Sequence, residues 1–121
     1  MEALYLSPSI EYSGHPRYAQ PVQQFDNKWV QMVLEVRVNP QLLIIKKPGT
    51  LPGAYPKDPN PADPHFKNKE LEWMLAALPS TKLSSSDIVV SGIMLRVTDQ
   101  HPSTLLQTKW WGDFRPYCFH Y

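Results

Sequence analysis

ALYLSPSIEYSGHPRYA, residues 3–19, is the stretch around which the rest of the chain is organised. Its first part, Ala3 to Leu6, is a short apolar run with a central tyrosine, which predicts a buried strand. Ser7-Pro8-Ser9 ends that strand, because proline cannot donate to a strand ladder and serine bonds to its local backbone. Aromatic and ionisable side chains then crowd beside the strand end, which favours a pocket there. They are Tyr12, His15, Arg17 and Tyr18.

The clearest strand of the chain is predicted for Lys28 to Val38. Apolar side chains recur at every second position, as in an antiparallel strand with one face in water. The predicted buried face carries Val30, Met32, Leu34, Val36 and Val38, and the predicted wet face carries Gln31, Glu35 and Arg37. Trp29 and Val33 interrupt the polar face, so we expect that face to be half covered.

The middle of the chain alternates between strand signals and strand breakers. Gln41 to Lys47 is interpreted as a short edge strand or a bend. Pro48 to Phe66 holds six prolines and predicts a long surface loop, either a tolerated insertion or a binding lid. Glu70 to Leu75 predicts a strand, with a short helix as the alternative. Ile88 to Val97 is a long apolar run, and Ser91-Gly92 within it favours a bulge.

An aromatic tail follows residue 98. It holds six aromatic residues within its last twelve positions, Trp110, Trp111, Phe114, Tyr117, Phe119 and Tyr121. So many rings will not stay in water, so the tail is expected to pack on the sheet or on a partner. We expect Trp110 and Trp111 to cover a sheet edge that would otherwise be bare.

These elements predict a single α+β domain over residues 1–121. It is a small, mostly antiparallel β-sheet or split β-sandwich, with one short helix after the first strand. Net charge is +1, from 12 basic and 11 acidic residues, so nucleic acid is an unlikely partner. The single cysteine, Cys118, excludes an internal disulfide and fits a reducing compartment. The sequence shows neither a leader of signal-peptide form nor an apolar run near 20 residues that could span a membrane. We therefore expect the protein in the cytoplasm or nucleus.

Few residue constellations in the chain are capable of chemistry. The four histidines lack metal-ligand spacing and there is one cysteine, so we expect no metal site. Glu70 and Glu72 are separated by one residue, which would place both carboxylates on one face of a strand and raise the pKa of one of them. The alternative for this pair is a solvated face of an edge strand.

Two of these segments resemble the ADP-ribosyltransferase fold. Leu4-Tyr5-Leu6-Ser7 followed by Ser13 and Tyr18 is similar to the second motif of its poly(ADP-ribose) polymerase branch. Lys69-Glu70-Leu71-Glu72-Trp73 is similar to the third motif, Glu-x-Glu, whose second glutamate is catalytic. The strings YLSPSIEYSGHPRYA, WVQMVLEVRVNP, ELEW and GIMLRV also resemble an uncharacterised eukaryotic family related to the transferase-like region of Neuralized-like proteins. The resemblance covers residues 3–98 and leaves the tail, 99–121, outside.

The resemblance implies an enzyme that takes NAD as its substrate and transfers ADP-ribose to a protein or other macromolecular acceptor. Cleavage of the nicotinamide–ribose bond passes through an oxocarbenium-like state, which a carboxylate near the ribose stabilises. Glu72, with Glu70 beside it, would supply that carboxylate. Tyr18 or Tyr12 would stack on the nicotinamide ring, Ser13 would orient its amide and Tyr5 would line the floor. The complete set of cofactor-binding residues implied is Tyr5, Ser7, Tyr12, Ser13, His15 and Tyr18.

The fold's first motif, a strand whose His or Arg binds the adenosine ribose, has no counterpart before Ala3. The resemblance therefore implies an N-terminally truncated domain with weak affinity for NAD, in which Glu72, Ser13 and Tyr18 face one cleft. The alternative function is a catalytically dead interaction module that docks a protein through the aromatic tail and the Pro-rich loop. The third hypothesis is a structural domain that binds no ligand.

Overall fold

The structure, a computed structural model, describes residues 3–51, 63, 65–76, 84–102 and 117–120. Seven strands, one short α-helix and one 3-10 turn occur within these ranges. The strands are β1 (Ala3–Leu6), β2 (Val22–Gln23), β3 (Trp29–Val38), β4 (Ile44–Lys47), β5 (Glu72–Ala76), β6 (Ile88–Thr98) and β7 (Tyr117–His120). The helix α1 is Ile10–Ser13 and the 3-10 turn is Asn68–Glu70.

The strands form two sheets, one of three strands in the order β1-β5-β4 and one of four strands in the order β2-β3-β6-β7. The pairs β1–β5, β4–β5, β2–β3 and β6–β7 are antiparallel. A small, mostly antiparallel α+β protein with a short helix directly after the first strand is therefore confirmed. The finer expectation, an ADP-ribosyltransferase-like fold, stays a prediction.

The chain divides into two compact units, each assembled from two stretches of sequence. The first unit comprises residues 1–12 and 37–89, and the second comprises residues 13–36 and 90–121. The first therefore holds the three-stranded sheet, and the second holds β2, β7 and most of β3 and β6. The expectation of one domain over residues 1–121 stays a prediction.

The core of the first unit forms around β5, the middle strand of its sheet. Leu75 of β5 and Leu71 just before it are fully buried, and Leu71 packs in one cluster with Tyr12 and Leu51. Side chains alternate across a strand, so Trp73 and Leu75 share one face of β5. The opposite face of β5, which begins at Glu72, is the more exposed of the two.

The predicted faces of β3 are wrong at Gln31, Met32 and Leu34, whereas Arg37 is exposed as predicted. Gln31, assigned to water, is 1% exposed, whereas Met32 and Leu34, assigned to the core, are 56% and 48% exposed. Gln31 can be buried because its side-chain amide donates hydrogen bonds to two backbone carbonyls, so the amide nitrogen is not left without a partner in the core. Period-two alternation therefore identified the strand correctly but did not identify which face is buried.

The positions of other predicted strands are confirmed within the described residues, but β1 is not the buried strand that was expected: it lies at a sheet edge, where Leu4 and Tyr5 are 39% and 53% exposed. β1 and β6 lie where apolar runs predicted them, and β4 is an edge strand. Ser91 and Gly92 are buried in succession, which interrupts the alternation of burial along β6, and the bulge expected there stays a prediction. The predicted strand at Glu70 begins two residues later, at Glu72, because Asn68–Glu70 forms a 3-10 turn.

The aromatic tail does pack on a sheet at its end, since β7 pairs with β6 from Leu95↔Tyr117 to Gly92↔His120. Trp110 and Trp111, which we expected at a sheet edge, lie outside the described residues. So does most of the predicted Pro-rich loop, residues 52–62 and 64. No helix in the described ranges is long and apolar enough to cross a membrane.

Candidate functional site

The first turn of α1 positions the candidate site of the first unit. Ser9 precedes the helix, and its Oγ accepts a hydrogen bond from the Tyr12 backbone N–H at 3.1 Å, the usual arrangement of a serine N-cap. The same Oγ donates to Asp63 Oδ2 at 2.7 Å, and Asp63 Oδ1 accepts from the His65 N–H at 2.9 Å. The Ser9 N–H in turn donates to Ser7 Oγ at 3.1 Å. These bonds hold the start of α1 and therefore the position of Tyr12.

Tyr12 connects α1 to the first residue of β5. Its ring is 4% exposed and packs with Leu51 and Leu71, while its hydroxyl donates to Glu72 Oε2 at 3.0 Å. The same hydroxyl oxygen accepts from the Thr50 N–H at 3.0 Å. Because the ring is packed in the core, it cannot stack on a ligand. The contact instead gives Tyr12 the geometry of a residue that orients the Glu72 carboxylate.

Glu72 lies on the more exposed face of the three-stranded sheet. Its second oxygen, Oε1, has no hydrogen-bond partner among the residues that the structure describes. Lys47 of β4 lies directly opposite Glu72, and Tyr5 of β1 lies opposite Met74, two residues further along β5. Tyr5 is therefore a diagonal neighbour of Glu72, at a spacing of about 7–8 Å that an aromatic side chain can span. The Tyr5 ring is 53% exposed.

Glu70 does not share this face. It belongs to the 3-10 turn, and its backbone carbonyl accepts a hydrogen bond from Trp73 Nε1 at 3.0 Å. The Trp73 ring also lies 5.3 Å from the Lys46 ammonium, a cation–π distance. The expectation that Glu70 and Glu72 lie two apart on one strand is wrong, because the turn removes Glu70 from the alternation.

Three predicted site residues belong to the second unit. Ser13 ends α1 and is half-buried, and Tyr18 is exposed. The His15 carbonyl accepts from the Tyr18 and Ala19 N–H groups at 2.8 and 3.0 Å, and its Nδ1 accepts from the Arg17 N–H at 3.1 Å. Burial, and then the positive charge of Arg17, lower the pKa of His15. Since Glu72 belongs to the first unit, a cleft shared by Ser13, Tyr18 and Glu72 stays a prediction.

A buried polar network in the second unit was missed by sequence reasoning. Gln31 Nε2 donates to the carbonyls of Gly14 and Ala19 at 2.9 and 2.8 Å, and Gln31 Oε1 accepts from Arg96 Nη1 at 3.4 Å. Arg96 is itself buried. The available signals were Trp29 and Val33, whose positions on the Gln31 face indicated that this face is half covered.

Asp63 and Thr50 were also missed as parts of the site in the first unit. Both lie near the ends of the predicted Pro-rich loop, whose composition predicts a loop but contains no information on what its ends contact. Within the described residues, no group of three or more His, Cys, Asp or Glu side chains is placed to hold a metal ion.

Comparison of the chain with protein-family models, with curated proteins and with solved structures finds no match. The chemistry of the site therefore follows from its own geometry. That geometry comprises one oriented carboxylate, a neighbouring cation and an exposed aromatic ring.

Proposed function

We propose that the chain is an ADP-ribosyltransferase-like domain that takes NAD as its substrate, with Glu72 as the catalytic carboxylate. The observation that carries this proposal is the 3.0 Å bond from the Tyr12 hydroxyl to Glu72 Oε2. An oriented carboxylate stabilises a positive charge that develops on a ribose without reorganising during the reaction. In the transfer, the bond from ribose C1′ to the nicotinamide nitrogen breaks and its electron pair leaves with nicotinamide. A nucleophile of the acceptor then bonds to C1′ and loses its proton.

The neighbours of Glu72 suit the remaining parts of such a substrate. The exposed ring of Tyr5 offers a flat apolar surface to an aromatic or sugar ring. The Lys47 ammonium, across from Glu72, offers positive charge to the pyrophosphate. Tyr12 acts through Glu72 as a positioning residue. Ser7, Ser13, His15 and Tyr18 remain cofactor-binding candidates on the resemblance alone, with Tyr18 as the candidate for stacking.

The test is titration of the protein with NAD by calorimetry, together with a measurement of nicotinamide release. Glu72→Gln keeps an oxygen that can accept a hydrogen bond from the Tyr12 hydroxyl, so the variant should fold. It removes the negative charge, so activity should fall by about 100-fold or more. Glu70→Gln is the matched control and should release nicotinamide as the wild type does. Absence of both binding heat and nicotinamide release in the wild type would overturn the proposal, as would equal activity of Glu72→Gln.

A second candidate is an interaction module that binds a protein partner. The observation favouring it is the exposure of Met32 and Leu34 on β3 of the second unit, since apolar side chains exposed next to each other on a sheet often mark interaction surfaces. The two candidates differ in the calorimetric titration: a folded wild-type protein that gives no heat with NAD favours the interaction module.

A further inference from the structure

The turn at residues 84–87 is held by one carboxylate. The Ser84 N–H donates to Asp87 Oδ2 at 2.9 Å, and the Ser84 hydroxyl donates to the same oxygen at 3.1 Å. The Asp87 N–H donates back to the Ser84 carbonyl at 3.0 Å, which closes the turn. Ser84 Oγ also lies 2.7 Å from Ser86 Oγ. The turn is thus closed by two hydrogen bonds from Ser84 to the Asp87 carboxylate and by one from the Asp87 N–H back to Ser84.

Asp87 also ties this turn to the end of β3. Its Oδ1 accepts from Asn39 Nδ2 at 3.1 Å, and its backbone carbonyl accepts from the Asn39 N–H at 2.8 Å. Asn39 directly follows β3, and Asp87 directly precedes β6. Hydrogen bonds from Ser84 and Asn39 lower the pKa of Asp87, in agreement with a carboxylate that stays charged. The two carboxylate oxygens of Asp87 therefore accept hydrogen bonds from two separate segments, Oδ2 from Ser84 and Oδ1 from Asn39.

We propose that Ser84 is a phosphorylation site for a serine/threonine kinase that selects an acidic residue three positions after the serine, and that the phosphate releases Asn39 from Asp87. Ser84, Ser85 and Ser86 are all exposed in the turn. Only Ser84 has an acid three positions later, since Ser85 and Ser86 have apolar residues there. The sequence and the exposure together select one hydroxyl of the three.

The reaction transfers the γ-phosphoryl group of ATP to Ser84 Oγ. The phosphorus–oxygen bond to ADP breaks, the bond from phosphorus to Oγ forms, and the hydroxyl proton goes to the base of the kinase. The hydroxyl that donated to Asp87 is thereby replaced by a group with a charge of about −1.5 to −2 at neutral pH. Two like charges then lie within hydrogen-bonding distance, so Asp87 has to move away from Ser84, and this movement breaks its hydrogen bonds to Asn39.

The test uses the full chain, ATP and a purified acid-directed kinase of the casein kinase class. Mass spectrometry should locate one phosphate on Ser84, lost in Ser84→Ala and retained in the matched control Ser85→Ala. Asp87→Asn should also reduce the incorporation. Phosphate on Ser85 or Ser86 instead, no phosphate at all, or unchanged incorporation in Ser84→Ala would overturn the assignment.

Release of Asn39 is measured on the phosphorylated protein. Hydrogen exchange at the Asn39 amide should become at least about tenfold faster, because its bond to the Asp87 carbonyl is lost. Amides of the three-stranded sheet serve as the internal reference and should keep their rates. The thermal midpoint should fall by about 2–5 °C. An unchanged Asn39 rate and midpoint after complete phosphorylation would refute the proposed release.

Discussion

Gln31 donates its side-chain amide to the Ala19 carbonyl at 2.8 Å from a position that is 1% exposed. The same nitrogen also reaches the carbonyl of Gly14. One side chain therefore satisfies two backbone groups of the segment that follows α1. This bond fixes that segment to β3 inside the second unit, and it inverts the burial expected for the strand.

Replacing this amide tests the inverted burial. Gln31→Leu keeps the size of the side chain but removes the hydrogen bonds that Gln31 donates to two buried carbonyls, so the free energy of unfolding should fall by about 2–4 kcal/mol. Urea denaturation measures the change. The control Gln23→Leu, at an exposed position on β2, should stay within about 0.5 kcal/mol of wild type. Equal midpoints for the two variants would contradict the burial of Gln31.

The hydroxyl of Tyr12 is the next target. Tyr12→Phe removes the donor to Glu72 and the acceptor for the Thr50 N–H while it keeps the packed ring, so we expect a loss of about 1–3 kcal/mol. Chemical denaturation of the variant and wild type gives the difference. Tyr5→Phe, which removes an exposed hydroxyl, is the matched control and should change stability by less than about 0.5 kcal/mol. A neutral Tyr12→Phe would show that the bond to Glu72 is not formed.

His15 should make stability depend on pH in mildly acidic solution. Its folded pKa is lowered from 6.5 by burial and then by Arg17, so the unfolded chain binds a proton more readily than the folded one. Stability is therefore unaffected by this group above the unfolded pKa, falls as the pH drops below 6.5, and becomes constant below the folded pKa. His15→Gln should remove this part of the slope in urea unfolding between about pH 5 and 7.5. A variant that keeps the full wild-type slope would refute the assignment.

Asp87 should also make stability depend on pH, but at lower pH than His15, because its ionised form is a carboxylate and not a cation. Its folded pKa is lowered from 3.8 by hydrogen bonds from Ser84 and Asn39, so the folded state favours the carboxylate. The stabilisation is complete above the unfolded pKa and is lost as the pH falls through the folded pKa. Asp87→Asn should flatten this acid limb of a thermal-unfolding profile. Identical acid limbs for wild type and Asp87→Asn would argue against the turn contacts.

Secondary structure was largely predictable because its signals are local. The apolar run at β1, the alternation of β3 and the long apolar stretch of β6 each lie within a few adjacent residues. Burial was less predictable, because the face of β3 that turns inward depends on where the carbonyls of Gly14 and Ala19 lie. Those carbonyls come from a different segment, and no pattern within β3 reports on them.

The candidate site was predictable only in part. Tyr12 and Glu72 were named from the sequence, whereas their contact depends on a separation of 60 residues that only the fold closes. Thr50 and Asp63 were missed because loop composition does not specify the partners of a loop end. Glu70 was misplaced because a 3-10 turn separates it from the strand that its spacing to Glu72 suggested.

The sequence by itself indicated the strands β1, β3, β5 and β6, because strand period, proline and apolar runs act over a few bonds, but it did not indicate β2, β7 or the 3-10 turn. Only the tertiary structure decided that the Glu72 carboxylate accepts a hydrogen bond from the Tyr12 hydroxyl, that Gln31 is buried on the face of β3 that was expected to lie in water, and that Asp87 joins two strand ends. The physical reason is that a polar group may be buried only where its hydrogen bonds are satisfied. Its partners come from segments far away in the chain, which neighbouring residues do not specify.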